Sequence, residues 1–304
     1  MAMIFDSYGD FVFYDGAMGT MLQKRGMKPG SRPDVMNMMN PEVVEDVHRM
    51  YVDAGADIIC ANTFGANPEA LRGTGFTPAE VIAAAVSIAR RAAGDRAKVA
   101  LDVGPLGILL EPLGELDSDS AYELFKEQVV AGERAGADFA AIETMSDLSE
   151  MEAAIRAAVE NTALPVLATM TFEKHGRTYL GCTPEMFAEA AARLGAAAVG
   201  LNCSLAPAEM YATAERIAKA TSLPLIVKPN AGLPDSRTGS YSIGPEEFVR
   251  QMLPFAGIGA RVVGGCCGTT PEYIRELKRA FRSCKTITCD SCLVFLPPDG
   301  ASNP

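Results

Sequence analysis

Short apolar runs rich in Val, Ile, Ala and Phe recur along the chain, each followed by a stretch of helical character. The runs are FVFY (11–14), DIICA (57–61), KVALDV (98–103), DFAAIE (138–143), PVLATMTF (165–172), AAVGLN (197–202), LPLIVK (223–228) and ARVVG (260–264). They are continuous rather than alternating, as parallel strands buried on both faces require. Helix starts between them share one form: Asn40-Pro41-Glu42, Thr77-Pro78, Thr183-Pro184-Glu185, Gly244-Pro245-Glu246 and Thr270-Pro271-Glu272. Each sets a cap residue before a proline at the first helical position, and most add an acid in the first turn, where the helix dipole favours it. The helix opening at Pro41 repeats its apolar residues on one face, at Val43, Val44, Val47, Met50 and Tyr51. Ala-Gly-Ala at 54–56 and 135–137 supplies glycine where helices end.

Eight strand-then-helix units predict a (β/α)8 TIM barrel over residues 1–282, followed by a tail at 283–304. A doubly wound open sheet is the alternative, but no Gly-x-Gly-x-x-Gly follows the first strand. A barrel puts its chemistry where strands end. Asp15, Asn62, Thr63, Asp102, Glu143, Asn202, Cys203, Asn230, Cys266 and Cys267 all fall at or just past such ends. Long strand-to-helix loops at 15–39, 104–118 and 229–243 are expected to cover a site on that face.

Charge removes some functions. A formal net charge of −11 argues against a nucleic-acid partner, since little here would neutralise phosphates. With 48% hydrophobic and 21% charged residues, the 304-residue chain has the composition of a globular protein with a sizeable core. No basic-then-apolar leader and no apolar run of spanning length is present, so the expected location is cytoplasmic, without membrane contact. Eight cysteines in that compartment point to thiols or metal ligands rather than disulfides.

Cys203 follows the sixth apolar run, and Cys266 with Cys267 the eighth, so the three thiols can meet at the mouth of a barrel. Such a tripod suits a soft metal with the fourth position left open. Adjacent strand residues point to opposite faces, so both members of the Cys266-Cys267 pair can serve one ion only if the chain turns there; Gly264, Gly265 and Gly268 give it that freedom. Any one of these cysteines alone reads more simply as a small buried hydrophobe. Cys60, inside a strand, reads as packing; Cys182 and Cys284 have no evident role. Cys289-x-x-Cys292 lies in the tail without the strand-to-helix setting of a redox motif. Of the two histidines, His48 is expected on the solvated side of its helix and His175 in a turn, so neither is a candidate base.

Asp15-Gly16-Ala17-Met18-Gly19-Thr20, Ala61-Asn62-Thr63-Phe64, Ile142-Glu143-Thr144, Gly200-Leu201-Asn202-Cys203, Pro229-Asn230-Ala231-Gly232 and Gly264-Gly265-Cys266-Cys267-Gly268-Thr269-Thr270-Pro271 resemble the homocysteine S-methyltransferase family. Within it, the chain is most similar to the homocysteine-binding barrel of the cobalamin-dependent methionine synthase branch. The resemblance spans residues 10–282. It implies one Zn2+ per chain held by Cys203, Cys266 and Cys267, with the sulfur of homocysteine as fourth ligand and methionine as product. It further implies that Asp15 and Glu143 face the substrate's amino group, that amides near Gly16 and Thr63 receive its carboxylate, and that Asn62 and Asn202 line the site. The substrate thiol is the nucleophile, so no protein acid or base is assigned. The family's donors include methylcobalamin, S-methylmethionine, S-adenosylmethionine and betaine. Pro229-Asn230-Ala231-Gly232-Leu233-Pro234 favours the methionine-synthase-like branch, with methylcobalamin only on a partner corrinoid protein. The alternatives are the same site using S-methylmethionine or another small donor, a different thiol acceptor, or a non-catalytic metal- or thiol-binding scaffold subunit.

Overall fold

The eight apolar runs form eight parallel strands in a computed structural model that describes residues 4–28, 30–235, 237 and 239–283. In chain order the elements are β1 (Val12–Phe13), α1 (Met18–Lys24), α2 (Met36–Met39), α3 (Pro41–Ala54), β2 (Ile58–Cys60), α4 (Pro78–Ala93), β3 (Lys98–Val103), α5 (Ser118–Ala135) and β4 (Phe139–Met145). They continue with α6 (Leu148–Asn161), β5 (Val166–Met170), α7 (Pro184–Arg193), β6 (Ala198–Asn202), α8 (Pro207–Ala220), β7 (Leu225–Lys228), α9 (Pro245–Met252), β8 (Ala260–Val263) and α10 (Pro271–Ser283). Each strand pairs with its neighbour in sequence, and β1 pairs with β8 through Val12↔Val262 and Phe13↔Val263. The ring closes between β1 and β2 at the Tyr14↔Ile58 bridge, so the fold is the expected (β/α)8 barrel. Ser283, expected to open the tail, instead closes α10, and the rest of the tail, with Cys284, Cys289 and Cys292, lies outside the described residues. Among the described residues no helix is long and apolar enough to cross a membrane.

The strands' two faces enter two separate cores. Val12, Tyr14, Ile58, Cys60, Ala100, Ala141, Leu167, Ala198, Ile226 and Val262 fill the barrel, while the alternate residues pack against the helical ring. Phe5 joins the interior cluster from the N-terminal segment, its ring 6.4 Å from that of Phe139. Arg261 on β8 donates to the Phe5 carbonyl at 2.7 Å and holds that segment against the strands' N-terminal ends. At Gly200 a Cβ would come within 1.9 Å of the Ile226 carbonyl oxygen, so β6 approaches β7 as closely as only glycine permits.

Local signals act much as read. Thr77 caps α4 by a reciprocal box with Glu80, and Thr183 Oγ1 accepts from Met186 N at 3.3 Å. Gly55 and Gly136 adopt left-handed φ of 101° and 92° after α3 and α5. Asn40 and Gly244 precede their prolines without a side-chain cap bond.

Two expectations are corrected. The 15–39 loop contains α1 and α2, which pack on α3. His48 is fully buried rather than solvated, and neither ring nitrogen has a hydrogen-bond partner among the described residues. It stands one helical turn from Val44 and Val52, both buried, on a helix also packed against α4 and α10. Covering α3 on several sides widens its buried face beyond the stripe its sequence shows.

Candidate metal centre

The carboxyl ends of β6 and β8 bring three sulfurs together. Cys203 Sγ lies 3.9 Å from Cys267 Sγ, and the sulfurs of Cys203, Cys266 and Cys267 are all within 4.8 Å of one another. Tetrahedral zinc with Zn–S bonds of about 2.3 Å separates its sulfurs by about 3.8 Å, so the trio has the spacing and the soft donors that such an ion takes.

The chain bends to present these thiols. Beyond β6, Cys203 and Ser204 adopt φ of 62° and 47°, a left-handed conformation costly for side chains other than glycine. Cys203 N donates to the Lys228 carbonyl at 3.0 Å, and Ser204 Oγ donates to the Phe172 carbonyl at 2.8 Å. After β8, Cys266 N donates to the Pro229 carbonyl at 2.8 Å, and Thr269 donates twice to the Cys266 carbonyl through its amide and Oγ1. Gly268 has φ 82°. Gly265 serves differently: a Cβ there would lie 2.3 Å from Thr269 Oγ1. The Cys266-Cys267 pair thus sits on a turn, as its convergence requires.

The sulfurs share protons unequally. Hydrogen bonding with Cys266 and Cys267 draws the Cys203 thiol down to about 3. Bonding to Cys203 pushes Cys267 up to about 12 and Cys266 well above the ordinary thiol range. A cation bound by the trio would favour loss of these protons.

Asn202 braces the rim. Its Oδ1 accepts from Thr144 N and Thr169 Oγ1, each at 2.9 Å, and its Nδ2 donates to Thr144 Oγ1 at 2.8 Å. Thr144 has φ 64°, so Asn202 ties down a strained residue directly after Glu143. Asn62 Nδ2 donates to the Pro33 carbonyl at 2.7 Å and fastens the α1–α2 excursion to β2. Thr63 Oγ1 donates to the Asp102 carbonyl at 2.8 Å and accepts from its amide at 3.0 Å, while Thr63 N is already engaged with the Ala61 carbonyl at 2.8 Å. Gly16 packs against Thr269, whose Oγ1 would lie 2.5 Å from a Cβ there.

Asp15 Oδ2 accepts from Cys60 N at 2.8 Å, adding a tie across the β1–β2 seam; burial pushes its pKa up to about 7. Glu143, 9% exposed, forms an ion pair with Lys228. Lys228 carries no signal as a site residue in the sequence, although it lies inward two positions after Ile226. Burial works against its charge, but the Glu143 carboxylate beside it outweighs that and holds it firmly protonated. Its Nζ also stands 4.2 Å from the centre of the Tyr14 ring.

The fold and the site together define a (β/α)8 barrel with three convergent thiols at its strand ends, a donor set of the kind that could hold a soft metal. A family model for homocysteine S-methyltransferase matches residues 12–281, and the chain belongs to that family. Methionine synthase from Mycobacterium tuberculosis is 34% identical over 295 residues, covering 89% of this chain and 24% of that protein; the protein of the same name from Mycobacterium leprae is 33% identical over 294 residues, with the same coverage. The chain thus spans about a quarter of the length of these curated relatives. Among solved structures, the metallated form of the homocysteine methyltransferase MmuM from Escherichia coli superposes with a TM-score of 0.76 at 25% identity, covering 90% of this chain and 97% of that one.

Proposed function

We propose that this barrel binds homocysteine and one Zn2+, and that it accepts a methyl group from a methylcorrinoid on a partner protein to give methionine. The convergence of Cys203, Cys266 and Cys267 carries the proposal, since their spacing and chemistry fit a zinc ion that these three thiols would hold while leaving a place for the substrate's sulfur. When bound, zinc lowers the pKa of a thiol ligand and thereby supplies the substrate's sulfur as a thiolate at neutral pH.

The remaining work falls to the chain's own residues. Asn202 and the two turns fix the thiols before substrate arrives, which limits reorganisation during the reaction. Lys228 keeps Glu143 in one orientation, and the other Glu143 oxygen is available to the substrate's amino group. Asp15 braces the seam beside that pocket, and Gly16 lets the chain approach closely at the carboxylate end. No side chain is assigned a proton transfer.

A protein donor is supported by the rim. Met39, Phe64, Leu109, Leu113, Tyr179 and Leu233 are large apolar residues at least 41% exposed, and all lie on connections following strand ends. Apolar residues ringing a mouth suit a macromolecular partner better than a small donor. The test measures bound zinc per chain with and without homocysteine, then methyl transfer from methylcobalamin and from S-methylmethionine. About one zinc, lost in Cys266→Ser with Cys267→Ser, and a new sulfur ligand on adding homocysteine are expected. A wild type that binds no zinc under reducing, metal-replete conditions refutes the reading.

A further inference from the structure

The polar layer at the top of the barrel core contains a carboxylate that the reading above leaves unused. Strand alternation turns Ala100 into the core and Asp102 inward two residues later, as it does Ala141 then Glu143, and Ile226 then Lys228. Asp102, Glu143 and the neighbouring Asp15 are three carboxylates served by a single lysine. Lys228 is committed to Glu143, and Asp15 receives the Cys60 amide. Asp102 is different. Its Oδ1 is buried with no hydrogen-bond partner among the described residues, and a carboxylate oxygen lies within 4.8 Å of both a Glu143 oxygen and the Cys60 sulfur. Thr63 pins its backbone through both amide and carbonyl, so the side chain is held on the inner face.

Burial and the adjacent Glu143 push the Asp102 carboxyl well above its ordinary range, and a cationic donor placed between the two carboxyls would satisfy the unpartnered oxygen and favour the ionised form of both. An amino-acid thiol whose sulfur sits at the cysteine trio carries such a donor a few bonds away. We propose that Asp102 receives the ammonium of the amino-acid thiol together with the free oxygen of Glu143, making an α-amino group a requirement of the acceptor. The inference rests on the homocysteine reading and sharpens it, because Asp102 then selects among thiols that the metal alone would not distinguish. A second metal ion at Cys60, Asp102 and Glu143 is the rival occupant. The Lys228 ammonium beside Glu143 repels a divalent cation there, and burial pushes the Cys60 thiol far above the range in which it ionises.

The test titrates zinc-loaded wild type and Asp102→Asn with L-homocysteine and with 4-mercaptobutanoate, which keeps the thiol and carboxylate but lacks the amino group. Asparagine keeps the shape and removes the group that can ionise when an ammonium arrives. The expected result is a loss of homocysteine affinity of roughly 10- to 100-fold, the range for a buried hydrogen bond to a charged group, with 4-mercaptobutanoate bound as before. Equal weakening of both ligands, or unchanged homocysteine binding, overturns the assignment. So does a second zinc in wild type that the variant loses. Should Asp102→Asn not fold, Asp102→Ser is titrated the same way and read by the same ratio of the two ligands. Wild type that binds neither thiol would instead refute the homocysteine reading itself.

Discussion

Replacing His48 with leucine should remove a defined part of the protein's acid sensitivity. The imidazole is fully buried in α3 with both nitrogens unpartnered among the described residues. Burial lowers its pKa from 6.5 to about 4, with nearby Glu45 opposing the shift. A base whose folded-state pKa is depressed binds fewer protons folded than unfolded, so its stability contribution is full above pH 6.5 and is lost as pH falls towards 4. The gap of about 2.5 units corresponds to roughly 3 kcal/mol in total, of which about 2 kcal/mol is lost between pH 7.5 and pH 5. Leucine fills a similar volume and has no nitrogen to protonate or leave unbonded. Urea unfolding of wild type and His48→Leu at both pH values isolates this group, since the remaining titrating groups are common to both proteins. The variant should be at least as stable at pH 7.5, and should exceed wild type by about 2 kcal/mol more at pH 5 than at pH 7.5. An identical pH dependence in the two proteins would show that the imidazole is reached by solvent or by a partner, and the reasoning would fail.

Other outcomes follow from single contacts. Lys228→Met strands Glu143 as a buried, unpaired carboxylate; unfolding experiments near neutral pH should show a loss of about 3–5 kcal/mol, and the Glu143→Gln, Lys228→Met double variant should recover much of it. Burial pushes Glu150 up to about 7, so its contribution is full below about pH 4.5 and is lost as pH rises through 7. Glu150→Gln keeps an oxygen for Leu106 N, now 2.8 Å away, and should flatten the decline in stability between pH 5 and 8 by roughly 3 kcal/mol, read by denaturant midpoints. Gly200→Ala meets the Ile226 carbonyl and should cost about 1–3 kcal/mol or more; a melting temperature equal to wild type would show that β6 and β7 can part there.

Much of the fold was legible because each barrel unit announces itself locally. Buried parallel strands give continuous apolar runs, and cap-plus-proline starts mark the helices between them. The thiol trio was legible for a related reason: in a barrel, residues far apart in sequence meet when both follow strand ends, so Cys203 and the Cys266-Cys267 pair share a rim by topology alone. Lys228 was not, since a lysine closing an apolar run reads as an exit to solvent. Only the alternation from Ile226 turns it inward, and only Glu143, on a strand across the barrel, makes that position tolerable. His48 failed for the opposite reason: the local period gives α3 one apolar face, whereas α1, α2, α4 and α10 decide how much more of it is covered. The left-handed residues Thr144 on β4 and Cys203 and Ser204 beyond β6 have no glycine to signal them, and hydrogen bonds to other strand ends accompany that conformation.

Phe5 and its anchor Arg261 stopper one end of the barrel, and packed side chains fill the middle. On the proposed reading the acceptor and the methyl donor must therefore use the same doorway. The smaller molecule has to enter first, because a macromolecule seated on the apolar rim would block its path. Product then leaves only after that macromolecule has lifted away, so turnover is a strict queue, and an excess of donor protein should slow the reaction by lingering at the door.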